Sequence, residues 1–425
     1  MKKDSANPSA GAGFRCQRCR YGCCARFHIT ATAEEKETIT RLNIPGLPPA
    51  EKCFIPEKNG LFSVAKNPET GDCIFSGGGL CLIQKLHGFK AKPVACQLFP
   101  LHVRHWTDGE ISAEYRWICP GVGVQDGKRV SEETNLPAYA RTLDRLRQKE
   151  NAVFSAALDP GLPAIRAVHA GFMEIMHCQA VPFTLRLYCA MRVLDFHTSL
   201  EMQDVIRNAD KNFAADARDF LQKAQEIMEQ ELAAAPAPDA LARTNFRNYL
   251  CGLLRDDDPL AKKGLRPRIM RAWKQLRIAS GPGMLTELNP AAPAVPGAFF
   301  PVRKYRNTEP DAEKIFQDFW FGKLDAMHFC GQQSHRFTYE EGLRHLMIFA
   351  ILTRSLADAF AESGGRTDVT AEDMLRAVRL ADFTFSASPF FRLKSSRKWL
   401  RQLSQLRAFA SLLPFEQRDF SSAEA

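Results

Sequence analysis

The sequence predicts an α+β protein: a small, loop-rich cysteine module that holds metal, followed by a mostly α-helical body. Three observations carry that prediction. Nine of the thirteen cysteines (16, 19, 23, 24, 53, 73, 81, 96 and 119) fall before residue 120. Short strand-and-turn patterns fill the same stretch. Beyond residue 130 the apolar residues instead recur at three and four positions, the period of an amphipathic helix.

Within the module, Thr32 followed by Glu35 is a capping-box helix start, preceded by a short strand over 26–30. Strands at 62–64 and 73–75 flank the turn Asn67-Pro68-Glu69-Thr70-Gly71-Asp72. A short helix over 80–86 is stopped by Gly88. Asp108-Gly109, between 100–106 and 110–117, is the strongest short hairpin signal in the chain.

In the body, helices are expected at 137–149, 164–178, 182–200, 203–232, 240–254, 262–278, 310–329, 339–363, 370–384 and 395–412. Thr370 with Asp373 repeats the helix-start box. Ala/Pro-rich residues 233–239 break the pattern briefly, and residues 280–301, rich in Pro, Gly and Ala, break it at length, as a hinge or lid would. The expected domains are a cysteine-cluster module at 1–125, a helical domain at 130–279, a linker at 280–301 and a C-terminal helical domain at 302–425.

A chain of 425 residues can bury its cores without covalent staples, so stability does not demand the cysteines. With 45% hydrophobic and 25% charged residues it falls outside the disordered and fibrous classes. No apolar stretch follows the charged start, so no secretory signal is readable, and the apolar run 346–352 is too short to span a bilayer. A cytoplasmic location is expected, where thirteen cysteines point to metal ligation or redox chemistry before disulfides.

The net charge of +9 is a modest excess, densest at 392–407, where six basic residues meet no acid. Leu393, Trp399, Leu400, Leu403 and Leu406 give that segment a helical apolar stripe. It reads as a docked helix with a solvated basic face rather than a nucleic-acid or membrane contact. A protein substrate or partner is expected; a nucleic acid is not.

Cys16-Gln-Arg-Cys19-Arg-Tyr-Gly-Cys23-Cys24 gathers four thiols, and a Cys-x-x-Cys turn lets two thiolates reach one ion. Cys73, Cys81, Cys96 and Cys119, each beside a turn or strand end, supply further ligands. Neighbouring side chains of an extended backbone diverge, so Cys23 and Cys24 serve two sites, or one of them is a bystander. The eight divide into two four-ligand sets, or into one cluster of four with additional thiols. Cys53, Cys178, Cys189, Cys251 and Cys330, isolated among apolar residues, read as small core residues. All-cysteine ligation suits zinc and iron–sulfur alike. His28, His87, His102 and His105 are the weaker alternative ligands. Gly121-Val-Gly123 with Gly127 lacks the strand–turn–helix of a nucleotide site and reads as a loop.

These motifs resemble the zinc- or iron-chelating cysteine-cluster (YkgJ-type) family with its CxxCxxCC signature. The resemblance covers roughly residues 14–122: Cys16 to Cys24, Gly71-Asp72-Cys73-Ile-Phe75, Leu80-Cys81-Leu-Ile83, Gly88, and Lys92-Pro93-Val-Ala-Cys96-Gln-Leu-Phe99-Pro100. Three residues rather than two separate Cys19 from Cys23. The helical body, with Phe319-Trp-Phe-Gly322, Tyr339-Glu-Glu-Gly342 and Thr370-Ala-Glu-Asp373, is similar in rhythm to flagellin lysine N-methylases. The resemblance implies an iron–sulfur cluster, of the 4Fe–4S type, and S-adenosylmethionine-dependent methylation of protein lysines. The alternative is a non-catalytic zinc-binding interaction protein.

Overall fold

In the computed structural model of the chain, the described residues are 12–15, 29–57, 60–77, 80–123, 127–129, 149–196, 213–254, 264–302, 304–385 and 388–413. The chain forms two compact units that divide between Glu150 and Asn151.

The first unit is built from β1 (Gly13–Phe14), β2 (Thr30–Ala31), α1 (Ala33–Arg41), α2 (Ala50–Cys53), β3 (Phe54–Pro56), β4 (Phe62–Val64), β5 (Ser76–Gly77), β6 (Leu80–Cys81), α3 (Leu82–His87), α4 (Val94–Leu98), β7 (Leu101–His105), β8 (Ile111–Tyr115) and β9 (Lys128–Arg129). Its described strands pair antiparallel, as β2-β4-β3, β5-β6, β7-β8 and β1-β9. Helix α1 begins where expected, because Thr32 Oγ1 accepts from Glu35 N–H and Glu35 Oε2 accepts from Thr32 N–H (3.1 and 2.8 Å). Its Ile39 joins Ile29, Phe54, Val64, Phe75 and Ile83 in one apolar core. The β7–β8 hairpin turns at Gly109, whose φ of 88° favours glycine; Asp108 Oδ1 accepts from Glu110 N–H at 3.1 Å. No strand forms at 73–75, where one was expected: Cys73 makes an isolated bridge to Lys66, residues 74 and 75 turn, and regular pairing begins only at β5.

The second unit is helical among its described residues: α5 (Leu162–His177), α6 (Phe183–Phe196), α7 (Phe213–Ala233), α8 (Ala240–Leu254), α9 (Leu265–Ser280), α10 (Pro310–Asp325), α11 (Tyr339–Ser363), α12 (Ala371–Phe385), α13 (Lys394–Leu403) and α14 (Leu406–Leu412). Helix α11 is its axis. It is buried on nearly every face, which is why its sequence is apolar all round, and α6, α10, α12 and α13 pack on it. Capping boxes start both α11 (Thr338 with Glu341) and α12 (Thr370 with Asp373).

Two expectations change. Residues 280–301 are neither hinge nor lid: Leu285, Ala292, Val295 and Phe300 are buried, and Gly297 lies so close to α9 that a Cβ there would fall 2.1 Å from the Ile278 carbonyl oxygen. Prolines and glycines in this stretch permit close backbone packing, and residues 280–301 fall within one compact unit with the helices on either side. The helix expected at 395–412 is two, because Gln405 is extended (ψ 132°) and restarts the chain as α14. The helix expected at 137–149 lies outside the described residues.

Candidate metal centre

Cys73 is placed by the turn before it. Asn67 Oδ1 accepts from the N–H groups of Glu69 and Thr70 (2.8 and 3.3 Å), Gly71 reverses the chain at φ 74°, and Asn67 N–H donates to the Asp72 carbonyl at 2.7 Å. Cys81 ends β6 and stands at the N-cap of α3, whose first turn drops Ile83 into the core. Cys96 rides on α4. Its N–H donates to the Pro93 carbonyl at 2.8 Å, and Gln97 Nε2 ties down the preceding loop through the Lys92 and Lys90 carbonyls at 2.6 and 3.2 Å. Glu35 reaches across from α1, its Oε1 accepting from Val94 N–H at 2.7 Å, and so fixes the start of the helix that carries Cys96.

These three elements bring Cys73, Cys81 and Cys96 to one partly open cleft, walled by Ile29, Val64, Phe75 and Ile83. Thiols held in an apolar wall are the donor set that zinc and iron–sulfur centres use. One zinc ion, about 2.3 Å from each sulfur, would hold tetrahedral ligands about 3.8 Å apart. Cys73, Cys81 and Cys96 are described thiols that could supply ligands to either kind of centre. Lys92 also lines the cleft, buried, with Nζ 3.2 Å from Gln84 Oε1 and 5.0 Å from the Phe89 ring centre. Its cation would offset the negative charge of thiolates ligating a metal there. Sequence reading missed Lys92, although it stands in the Lys92-Pro93 motif.

Cys119 is not among the described lining of that cleft. It is buried at a turn closed by Val122 N–H donating to the Cys119 carbonyl (3.0 Å), and Arg15 N–H donates to the Gly121 carbonyl (2.9 Å). The glycine string has its reason here. A Cβ on Gly121 would sit 2.3 Å from the Arg15 carbonyl oxygen, and one on Gly127 2.4 Å from Phe14 N. These glycines let backbones touch. Arg15, the residue before Cys16 in the sequence, thereby lies against the Cys119 turn. Cys16, Cys19, Cys23, Cys24 and His28 lie outside the described residues.

No histidine is among the described lining of the cleft. His102 instead faces Glu114 across the β7–β8 ladder, Nδ1 3.4 Å from Oε1. Cys53 is a core residue with Sγ 3.4 Å from the Pro48 carbonyl, and burial, then Glu51, push its thiol pKa up. Burial takes Cys189 up to about 12 and Cys251 higher still, so both remain neutral thiols. Cys330 is buried as well, while Cys178 is half-buried.

Several buried polar groups of the body are paired with one another. Lys323 Nζ meets Asp382 Oδ1 at 2.7 Å, both fully buried, between α10 and α12. The Tyr249 hydroxyl lies 2.5 Å from His345 Nδ1, and His169 Nδ1 3.0 Å from the Tyr339 hydroxyl. Burial drives His345 well below and Tyr249 well above their ordinary values, so this pair is neutral and serves the core. Single polar residues on apolar helices have no spacing signature, so sequence reading passed over them. Comparison of the chain with protein families, characterised proteins and solved structures gave no match.

Proposed function

We propose that the first unit carries a metal centre of the iron–sulfur type, with Cys73, Cys81 and Cys96 as three of its thiolate ligands. One observation carries this: three cysteines separated in sequence, each placed by its own turn or helix, line a single apolar cleft. Cys16, Cys19, Cys23, Cys24 and Cys119 are the candidates that complete the centre or form a second one. Such a centre contributes folding energy to a unit whose sheets are only two and three strands wide. The sequence resemblance extends the proposal to S-adenosylmethionine-dependent methylation of a protein lysine, a role for which the motif order is the support.

The test is anaerobic purification followed by iron, sulfide and zinc analysis. Iron and acid-labile sulfide in equal ratio, with a brown visible charge-transfer absorption, are expected. A colourless protein with stoichiometric zinc would replace this reading by the structural zinc one, and metal-free folded protein would end both. Equilibrium binding of labelled S-adenosylmethionine to the loaded protein tests the extension separately.

A further inference from the structure

Helix α9 is packed inside out. Leu265, Ile269, Trp273 and Leu276 recur at four, four and three residues and so share one face. They are 75, 57, 55 and 59% exposed, with Met270 beside them at 49%. The opposite face, carrying Pro267, Arg271, Lys274 and Gln275, is the half-buried one. It meets α8, where Gln275 Nε2 donates to Asn248 Oδ1 at 3.4 Å. Within α9 only Ile278 and Ala279, near its C-terminal end, are buried. Single exposed apolar residues need no explanation, but a continuous stripe with a tryptophan in it marks a binding surface.

The charge around the stripe indicates what covers it. The helix carries Arg266, Arg268, Arg271, Lys274 and Arg277 and no acidic residue. Arg277 is met by Glu287 at 3.1 Å, while Arg266 and Arg268 are exposed beside the stripe. A second copy of the chain would set the same cations against these, a repulsive match. A single helix that presents an aliphatic and tryptophan stripe between arginines fits a bilayer surface, where the apolar face sinks to the acyl boundary and the cations meet phosphate headgroups. We propose that α9 docks the chain peripherally on an anionic lipid membrane. None of the helices described is long and apolar enough to cross one. The proposal stands apart from the metal centre and uses none of its residues.

The experiment is co-sedimentation of the full chain with phosphatidylcholine vesicles, with and without roughly one-third phosphatidylglycerol. Binding is expected only to the anionic vesicles, and salt should weaken it. Ile269→Asp with Trp273→Asp should abolish it with the circular dichroism spectrum unchanged, since both sites are exposed. Arg266→Gln with Arg268→Gln should weaken it about 25-fold, at about fivefold per charge. Three results would overturn the proposal. The first is no binding, or binding indifferent to the Asp pair. The second is a solution dimer that the Asp pair splits, which would make the stripe a contact between copies. The third is Trp273 fluorescence, read as wild type minus Trp273→Phe, already shielded from a soluble quencher without vesicles. In that case another part of the chain covers the stripe.

Discussion

Glu35 and Val94 are 59 residues apart in sequence, yet the Glu35 carboxylate accepts the Val94 backbone N–H at 2.7 Å while its other oxygen accepts from Thr32 N–H at 2.8 Å. One side chain thus caps α1 and fixes the entry to α4, the helix that bears Cys96. Replacing Glu35 with Ala leaves two part-buried N–H groups without their acceptor and should destabilise the first unit by about 2 kcal/mol. Urea unfolding followed by a probe in that unit checks it. An unchanged midpoint would show that water replaces the carboxylate at no cost.

Cysteine replacements should separate into two sets. Cys73→Ser, Cys81→Ser and Cys96→Ser each replace a cleft thiol by a hydroxyl, a poor ligand for a soft metal, and should lose stoichiometric metal. Cys189→Ala and Cys251→Ala, at thiols that burial keeps protonated, should keep it. Metal analysis of the soluble variants decides; equal loss in both sets would dissolve the distinction.

Lys92 is the one cation among the described residues of the cleft lining. Lys92→Gln keeps a chain that can reach Gln84 but removes the charge that offsets the thiolates. Metal affinity should fall about tenfold, the lower end of what outer-shell partners contribute. Competition with a chelator measures it, and an affinity equal to wild type would leave Lys92 with a packing role only.

Acid should weaken the body through His169. Burial, then the charge of Arg166, take its imidazole down to about 3 from the ordinary 6.5. The folded state holds it neutral, so its contribution is fully present above pH 6.5 and drains as pH falls toward 3, because the unfolded chain takes the proton first. Between pH 6.5 and 5 the loss is about 2 kcal/mol. Asp358 works in the opposite sense. Burial raises it from 3.8 to about 6, so its contribution is greatest below 3.8 and is lost as pH rises through 6. Comparison of His169→Gln with wild type isolates the histidine: the variant's unfolding midpoint should change less between pH 7 and pH 5. Parallel profiles would contradict the assignment.

Gly342 opens α11 against the turn that follows α10, where an added Cβ would lie 2.2 Å from the Phe329 carbonyl oxygen and 2.8 Å from its carbon. Both obstacles are backbone and cannot rotate away. Gly342→Ala should cost about 3 kcal/mol despite the better helix propensity of alanine, the signature of overpacking. Thermal unfolding tests it, and an unchanged or raised midpoint would mean that α11 shifts freely.

The sequence by itself determined what is local or dense. Capping boxes at Thr32 and Thr370, the Asp108-Gly109 hairpin and the long helical periods from Tyr339 and Ala240 were all legible, because each signal is written within a few residues of the bond it makes. The crowding of cysteines before residue 120 marked the module for the same reason. Tertiary structure alone decided which thiols share a cleft, since Cys73, Cys81 and Cys96 meet only after three separate turns have formed. It also gave Glu35 its second acceptor role and folded residues 280–301 against α9, because close backbone approach at Gly297 has the same composition as a flexible linker. In α9 the apolar stripe was readable but its direction was not: periodicity shows that a helix has two faces, and only the packing of Gln275 against Asn248 turned the apolar one outward.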